Sequence, residues 1–381
     1  MYLKELNILN FKNIEAADLQ LSPKINCLIG MNGMGKTNVL DSIYYLSFCK
    51  SAFNAIDSQN IRHESDFAML QGVYAADVTM KEDELKTVTC GIKRGQKKQF
   101  RLGQKDYKRL IDHIGLIPLV IISPQDSDLV QDGSDERRRF LDSILSQSDR
   151  PYLEHLTQYN ALLKQRNVLL KQAEDDFNRL NQDLMDVIEQ QMAGHADYIF
   201  RQRTDFIEDF LPLFNEVYDF VSEQKEKVSL AYYSQLQDRN FAEALQRTRQ
   251  RDVILGWTSQ GIHKDDLEMK LGDYPLRRVG SQGQQKTYLL ALKLAQALWL
   301  TETLVQKKSI VNKPILLLDD IFDKLDAERV QRIVELLNSE RYGQIFITDT
   351  DRQHLLSLLR TDSDNSRIFF VENGVIKRQT D

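Results

Sequence analysis

The sequence predicts an α/β protein: a mostly parallel sheet with helices on its faces, interrupted by a helical insert. Three observations carry this. A strand, a glycine-rich phosphate-loop motif and a helix follow one another near the start, "DLQLSPKINCLIG", "MNGMG" and "KTNVLDSIYYLSF". Strand and helix alternate from "KPILLLDD" onward, the pattern of parallel strands joined by helical crossovers. Between them, after Pro151 and up to Arg251, only Gly194 and Pro212 interrupt a run that is otherwise free of both residues.

"YLKELNILNF" alternates apolar and polar side chains and reads as the first strand. From Phe67 to Lys108 short alternating runs around glycine turns predict antiparallel strands and hairpins. "GLIPLVIIS" is a short buried strand, ended by "PQDSDL". In the insert, Leu156, Leu163, Leu170, Phe177 and Leu184 recur every seven residues, with Ala173, Leu180 and Val187 as companions. That spacing predicts a long helix with a coiled-coil-like seam, which Arg166 interrupts. A bundle arm whose stripe is simply core has the same pattern and is favoured. "DDLEMKL" and "YPLRRV" flank Gly272-Asp273, a hairpin signal. Then come the helix beginning "GSQGQQKTYLLALKLAQ", the strand "ILLLDD", the helix "AERVQRIVELLNS", the strand "QIFITD", a helix over "DRQHLLSLLR" and the strand "RIFFVENG". The expected division is an ATPase-like domain over 1–134 and 252–381 with a helical insert over 135–251.

The chain has 381 residues, 42% hydrophobic and 28% charged, enough for two cores without staples. Its three cysteines, Cys27, Cys49 and Cys90, lack the spacing of a zinc site or disulfide framework, so reduced thiols and a cytoplasmic setting are expected. The opening residues carry no unbroken apolar segment for export. No run reaches the roughly 18 apolar residues of a membrane helix. The net charge of −6 means that any nucleic-acid contact must come from a local patch.

Gly30-Met31-Asn32-Gly33-Met34-Gly35-Lys36-Thr37 fits G-x-x-x-x-G-K-T, after a strand and opening a helix, as the motif requires. Backbone amides there curl around phosphates; Lys36 reaches the outer phosphates and the Thr37 hydroxyl holds Mg²⁺. Asp319, at the end of an apolar strand, is placed to hold the same ion, and Asp320 to polarise an attacking water. ATP and Mg²⁺ are the ligands this combination implies. Ser281-Gln282-Gly283-Gln284-Gln285 opens a long helix. Taken alone, it favours a plain N-cap.

Gly30–Thr37, Gln125, Ser281–Gln285, Asp319-Asp320 and Leu325-Asp326, in this order, resemble ABC-type ATPases of the SMC-like branch. With "NFKNIE", "ISPQDSDLV", "ERRRFLD", "GIHKDD" and "LLLDDIFDKLD", the whole chain resembles the bacterial RecF family of DNA replication and repair proteins. The resemblance implies an ABC-type P-loop ATPase head, a mixed sheet with helices, carrying an inserted helical arm. It implies that Ser281 and the following residues face the ATP of a second copy in a head-to-tail dimer. Gln125 becomes a Mg²⁺- and water-sensing residue, Asp326 a residue of the loop that meets the partner, and Lys12, Asn13 and Asn38 neighbours of the nucleotide. Asp320 stands where many ABC enzymes have Glu, which implies slow hydrolysis. Thr348-Asp349-Thr350 stands where many have a His; His354 is expected to be an exposed helix residue. The family resemblance further implies binding of double-stranded and gapped DNA, weak DNA-stimulated ATPase activity, and support of RecA loading with RecO and RecR.

One segment supports DNA independently. Lys93, Arg94, Lys97, Lys98, Arg101, Lys105, Lys108 and Arg109 lie in "IKRGQKKQFRLGQKDYKRL" with a single acid, Asp106, and with Phe100 and Tyr107 between them. A hairpin so charged can track phosphates; the same charges also suit a solvated hairpin protecting a sheet edge. "ERRR", Glu136–Arg139, reads as packed or internally paired. A transport ATPase would have a short helical insert coupled to membrane helices and no DNA affinity, and the long insert with its heptad seam argues against it. A structural SMC protein would need a far longer coiled coil.

Overall fold

The computed structural model describes residues 1–76, 79, 84–174, 176–237, 240–308, 313–350 and 366–379. The helix expected over 351–360, with His354, lies outside these residues. Backbone contacts divide the chain into two units: Met1–Asp126, Val217–Glu223 and Gln282–Asp381; and Ser127–Glu216 with Gln224–Ser281.

The first unit holds two six-stranded sheets. One is antiparallel, in the order β2-β1-β4-β5-β6-β7: Ile14–Gln20, Tyr2–Phe11, Phe67–Ala75, Lys86–Lys93, Gln99–Leu102 and Lys105–Asp106. The other runs β15-β14-β3-β13-β12-β8: Val375–Arg378, Ser366–Glu372, Ile25–Ile29, Ile345–Asp349, Ile315–Leu318 and Leu119–Ile122. Only β14 and β15 pair antiparallel there. Every residue of β3 and β12 is buried. Parallel strands covered on both faces become apolar runs rather than alternating ones, which is why "INCLI" and "ILLL" read as they do.

Helix α1 (Lys36–Phe48) buries Leu40, Ile43 and Leu46 completely, in one cluster with Leu3 and Leu70 of the antiparallel sheet and Leu28, Leu317 and Phe346 of the parallel one. Each such side chain contributes roughly 1.5–3 kcal/mol by leaving water. Gln344 stitches the two sheets. It accepts from Leu3 N at 2.8 Å and donates to Leu3 O and Ser22 O at 2.8 and 2.7 Å.

The second unit contains α2 (Asp128–Gln131), α3 (Ser134–Ser148), α4 (Arg150–Gln172), most of α5 (Gln182–Ser222), α6 (Phe241–Leu255) and α7 (Leu276–Val279). Its small sheet is β11-β10-β9: Tyr274–Pro275, Asp266–Leu271 and Val228–Tyr233. Gly272-Asp273 joins β10 to β11 as expected, but Leu276–Val279 coils into a helical turn instead of extending the strand. Because β10 pairs with β9, residues 252–281 group with this unit rather than with the first. Helices α8 (Gln282–Lys308) and α9 (Ala327–Asn338) return to the first unit. α8 is the one described helix long and apolar enough to cross a membrane, yet 72% of its apolar window is buried, so its composition is that of a core helix.

The heptad stripe does not mark one long helix. α4 stops at Gln172 and α5 starts at Gln182, with a 3₁₀ turn at Phe177–Arg179 between them. Leu184 and Val187 are exposed. The buried face of α4 is Tyr152, Tyr159, Leu162, Arg166 and Leu170. Arg166 is therefore a member of the core. It donates to Glu189 Oε1 (3.0 Å), Asp252 Oδ2 (2.8 Å) and Thr258 Oγ1 (2.9 Å), tying α4 to α5 and α6. A fully paired guanidinium is tolerated there; breaking such a pair on one side costs about 3–5 kcal/mol.

The "GIHKDD" block closes a second buried network. Arg203 donates to Asp265 Oδ2 (2.7 Å) and Asp142 Oδ1 (2.8 Å). His263 Nε2 lies 3.0 Å from Thr258 O, so it must carry the proton, and Nδ1 accepts from Tyr159 OH at 2.7 Å. Burial pushes the His263 pKa down to about 4, against 6.5 when free. A folded-state pKa below the unfolded one means that the unfolded chain takes up the proton first as pH falls. The neutral ring's stabilisation is complete above pH 6.5 and is lost down to pH 4, in all roughly 3 kcal/mol. His263→Gln, which can keep both hydrogen bonds, is expected to show a shallower loss of unfolding free energy between pH 6.5 and 4. Identical pH slopes in denaturant titrations would contradict this.

Candidate nucleotide site

Four parallel strands of the first unit end at one edge of their sheet. β3 runs into Gly30, β13 ends at Thr348-Asp349, β12 runs into Asp319, and β8 leads to Gln125. In open α/β sheets ligands bind beyond such carboxyl ends.

The loop after β3 needs its glycines. A Cβ on Gly30 would lie 2.2 Å from Val371 O. Gly33 and Gly35 have φ of 80° and 113°, which side chains other than glycine disfavour. α1 begins at Lys36 behind Gly35 with no side-chain cap, so its first turn offers amides to an anion. Lys36 is 4% exposed, and its ammonium folds back onto Gly30 O (2.6 Å) and Met31 O (3.1 Å). Asn32 and Gly33 line the exposed crest. Asn13 clamps the loop, donating to Met34 O at 3.2 Å and accepting from Asn38 Nδ2 at 2.7 Å. Lys12 is engaged elsewhere: it pairs with buried Asp41 at 2.7 Å and lies over the rings of Phe11 and Phe53.

Thr37 Oγ1 lies 2.8 and 3.0 Å from the two carboxylate oxygens of Asp319. A hydroxyl beside a carboxylate, next to a phosphate loop, is the hard oxygen set that Mg²⁺ takes. Among the described residues no group of three His, Cys, Asp or Glu side chains could hold a softer ion. Burial raises the Asp319 pKa, opposed by hydrogen bonds from Thr348 and Thr37. Thr348 Oγ1 donates to Asp319 Oδ1 at 2.7 Å and accepts from Asp320 N at 3.0 Å. Asp320 has a φ of 48°, in the left-handed region. The sequence marked Thr348-Asp349-Thr350 only as a stretch where a histidine is missing. The signal of Thr348 was a lone hydroxyl at the end of an otherwise apolar strand. Gln125 is exposed in the turn Pro124–Ser127, which Asp126 holds by accepting from Ser123 N (2.7 Å) and pairing with Lys293 (2.7 Å).

Ser281 is the last residue of the second unit, and Gln282 the first of α8. Both are exposed. The start of α8, with Gly283 and Gln284, is latched to the loop after Asp320. Lys286 donates to Asp320 O (3.2 Å) and Asp323 O (2.6 Å), and Arg329 to Gly283 O (3.3 Å) and Thr287 Oγ1 (2.7 Å). Asp326 caps α9 by accepting from Arg329 N at 2.9 Å. Neither Lys286 nor Arg329 was legible as a site residue, because a basic side chain reaching a backbone carbonyl leaves no spacing signature.

The basic hairpin is β5–β6. Beside it lies a cleft of about 630 Å³ lined by Lys97, Lys98, Arg101, Lys108 and two acids, Asp57 and Asp106. Several of its cations are committed. Lys98 pairs with Asp57 at 3.0 Å, Arg101 with Asp106 at 2.6 Å, and Arg94 donates to Ser65 O and Ser58 O. Among the described residues Lys93, Lys97 and Lys105 have no carboxylate partner. Phe100 does not interleave with solvent: it is 2% exposed and packs on Tyr45 and His113. In "ERRR", Arg137 pairs with Asp266 at 2.6 Å, Arg138 with Asp135 and Arg139 with Glu136, as expected of an internally paired run.

The family described as the RecF/RecN/SMC N terminal domain matches residues 2–377. The DNA replication and repair protein RecF of Phocaeicola vulgatus is 52% identical over 376 residues, covering 99% of this chain and 98% of that protein. The protein of the same name from Bacteroides thetaiotaomicron is 50% identical with the same coverage. Among solved structures, the recombination mediator protein RecF with ATP, in the RecFOR pathway, superposes with a TM-score of 0.85 at 25% identity, over 100% of this chain and 98% of that one. An Smc head bound to the C-winged helix domain of ScpA shares the fold, with a TM-score of 0.58 at 15% identity over 100% of this chain and 97% of that one. A chain with this loop, this paired threonine and aspartate, and half its residues in common with such relatives belongs to the RecF family, within the RecF/RecN/SMC group of ABC-type ATPases.

Proposed function

We propose that the chain is a cytoplasmic ATPase of DNA replication and recombinational repair. It binds ATP at Gly30–Thr37, closes head to tail on a second copy around that ATP, and in the closed form grips DNA at single-strand gaps. RecO and RecR are its partners in supporting RecA loading, and slow hydrolysis releases the grip. The observation that carries this reading is the convergence of Lys36, Thr37, Asp319 and Asp320 at one sheet edge. Relatives bearing the repair name, one of them solved with ATP, support it.

In this reading the loop amides and Lys36 orient the β- and γ-phosphates, and Thr37 and Asp319 hold Mg²⁺. The ion, when bound, offsets charge on the phosphoryl oxygens. A water oxygen bonds to the γ-phosphorus while the bond to the bridging oxygen breaks, yielding ADP and phosphate. Asp320 takes the water's proton; Gln125 orients the water. Ser281, Gln282, Gly283 and Gln284 of one copy face the other copy's γ-phosphate, and Asp326 meets the partner beside them.

The DNA surface is the β5–β6 hairpin, with Lys93, Lys97 and Lys105 supplying unneutralised charge, and Arg94, Lys98 and Arg101 shaping it. The test combines light scattering with a gapped-DNA binding assay under ATP, ADP and no nucleotide. ATP alone is expected to give the dimer and the tight DNA complex. Lys97→Glu with Lys105→Glu should keep the dimer, weaken DNA binding at least tenfold and flatten its salt dependence by about the number of contacts removed. A wild-type salt slope in that variant would move the DNA elsewhere on the surface. A monomer under all three conditions would refute the reading itself.

A further inference from the structure

We infer that Thr348 is a positioning residue of the ATPase centre, a single hydroxyl that sets the metal-binding aspartate and the water-activating aspartate with respect to each other. This rests on the nucleotide-site reading above and assigns a role where other ABC-type ATPases use a histidine.

Thr348 is completely buried at the end of β13, beside β12. Its oxygen has one proton to donate and lone pairs to accept. The proton goes to Asp319 Oδ1 at 2.7 Å; the Asp320 N–H comes in at 3.0 Å; Asp320 Oδ1 is 3.5 Å away. Consecutive residues of one turn are thus held through one atom, Asp319 by its carboxylate and Asp320 by its backbone.

The backbone bond matters because of where Asp320 sits. A non-glycine residue with φ of 48° is in a sparsely populated conformation that persists only when its surroundings enforce it. The Thr348 bond to Asp320 N and the Lys286 bond to Asp320 O hold the peptide groups on the two sides of this residue. Without the hydroxyl, the part-buried Asp320 N–H has lost its acceptor, and the residue is free to rotate toward an ordinary conformation. That rotation would swing the Asp320 carboxylate away from the water it activates. A histidine reaching the phosphate acts on substrate directly; Thr348 acts only through its two aspartates.

Thr348→Val is nearly isosteric and removes only the hydroxyl; Thr348→Ser keeps it. The first readout uses nucleotide-free protein: hydrogen–deuterium exchange of the Asp320 amide. Val is expected to speed exchange about tenfold or more and Ser to leave it near wild type. The second is the split between nucleotide affinity and kcat. Val should keep ATP affinity within about threefold, since the loop is intact, and lower kcat about tenfold or more; Ser should restore kcat. Unchanged exchange in the Val variant would overturn the hydrogen bond's part. Faster exchange with wild-type kcat would overturn the positioning role. Failure of the underlying ATPase reading has a different signature: wild type and Asp320→Asn equally without hydrolysis, which would remove the positioning role along with it.

Discussion

Lys36→Ala is expected to weaken ATP binding about a hundredfold or more while leaving the fold intact. The ammonium is the only side-chain cation placed in the loop by the motif. A charge-assisted bond to phosphate is worth about 1.5–3 kcal/mol, and in the proposed complex the lysine reaches two phosphates. The folded protein loses little, because the partners of Lys36 are two part-buried backbone carbonyls, of Gly30 and of exposed Met31, rather than a buried charge. Calorimetric titration with ATP and Mg²⁺ reads the affinity, and the thermal midpoint without nucleotide reads the fold. Affinity within threefold of wild type would remove Lys36, and with it the loop, from the site. Thr37→Ala should behave differently: it removes a proposed Mg²⁺ ligand and leaves the loop amides in place.

Much of this site was legible because its chemistry imposes spacing. A loop that curls its backbone around a phosphate calls for glycines, and at 30, 33 and 35 the backbone itself requires them, by close approach at 30 and positive φ at 33 and 35. A carboxylate at the end of a doubly covered parallel strand announces itself as "ILLLDD", apolar until the edge and acidic beyond it. The strand order could not be read, since it depends on which apolar runs pair across hundreds of residues. The insert misled for a related reason. Leucines at heptad spacing match one helix as well as two, and nothing in the periodicity reveals that "AEDDFNRLN" breaks the run. Arg166 looked like a defect in a seam because its partners, Glu189 and Asp252, lie far along the chain. The same applies to Thr348: its meaning lies in two aspartates that arrive from another strand.

Ser281→Arg is expected to leave ATP affinity within about threefold and to abolish both the ATP-induced dimer and hydrolysis. Ser281 and Gln282 are exposed, while Gly283 and Thr287 are gripped by Arg329, and Lys286 by the carbonyls of Asp320 and Asp323. The first turn of α8 is therefore fixed to the loop that carries Asp320 of the same chain, with Ser281 and Gln282 exposed. A small Ser-Gly turn at a helix N-terminus suits a phosphate approaching closely. An arginine at 281 fills that approach with a long side chain, and its charge cannot restore a backbone contact it sterically prevents. In the proposed dimer the ATP concerned belongs to the other copy, so binding to the copy's own loop is expected to be unaffected. Mixing supplies the decisive measurement. Ser281→Arg protein combined with Lys36→Ala protein can form one intact composite site, from the Lys36 loop of the first and the Ser281 helix of the second. Such a mixture should recover part of the hydrolysis that neither variant has alone. Recovery at no ratio, together with normal turnover by Ser281→Arg alone, would mean that α8 serves its own chain as a core helix, and that the two phosphate-binding features never meet across a dimer.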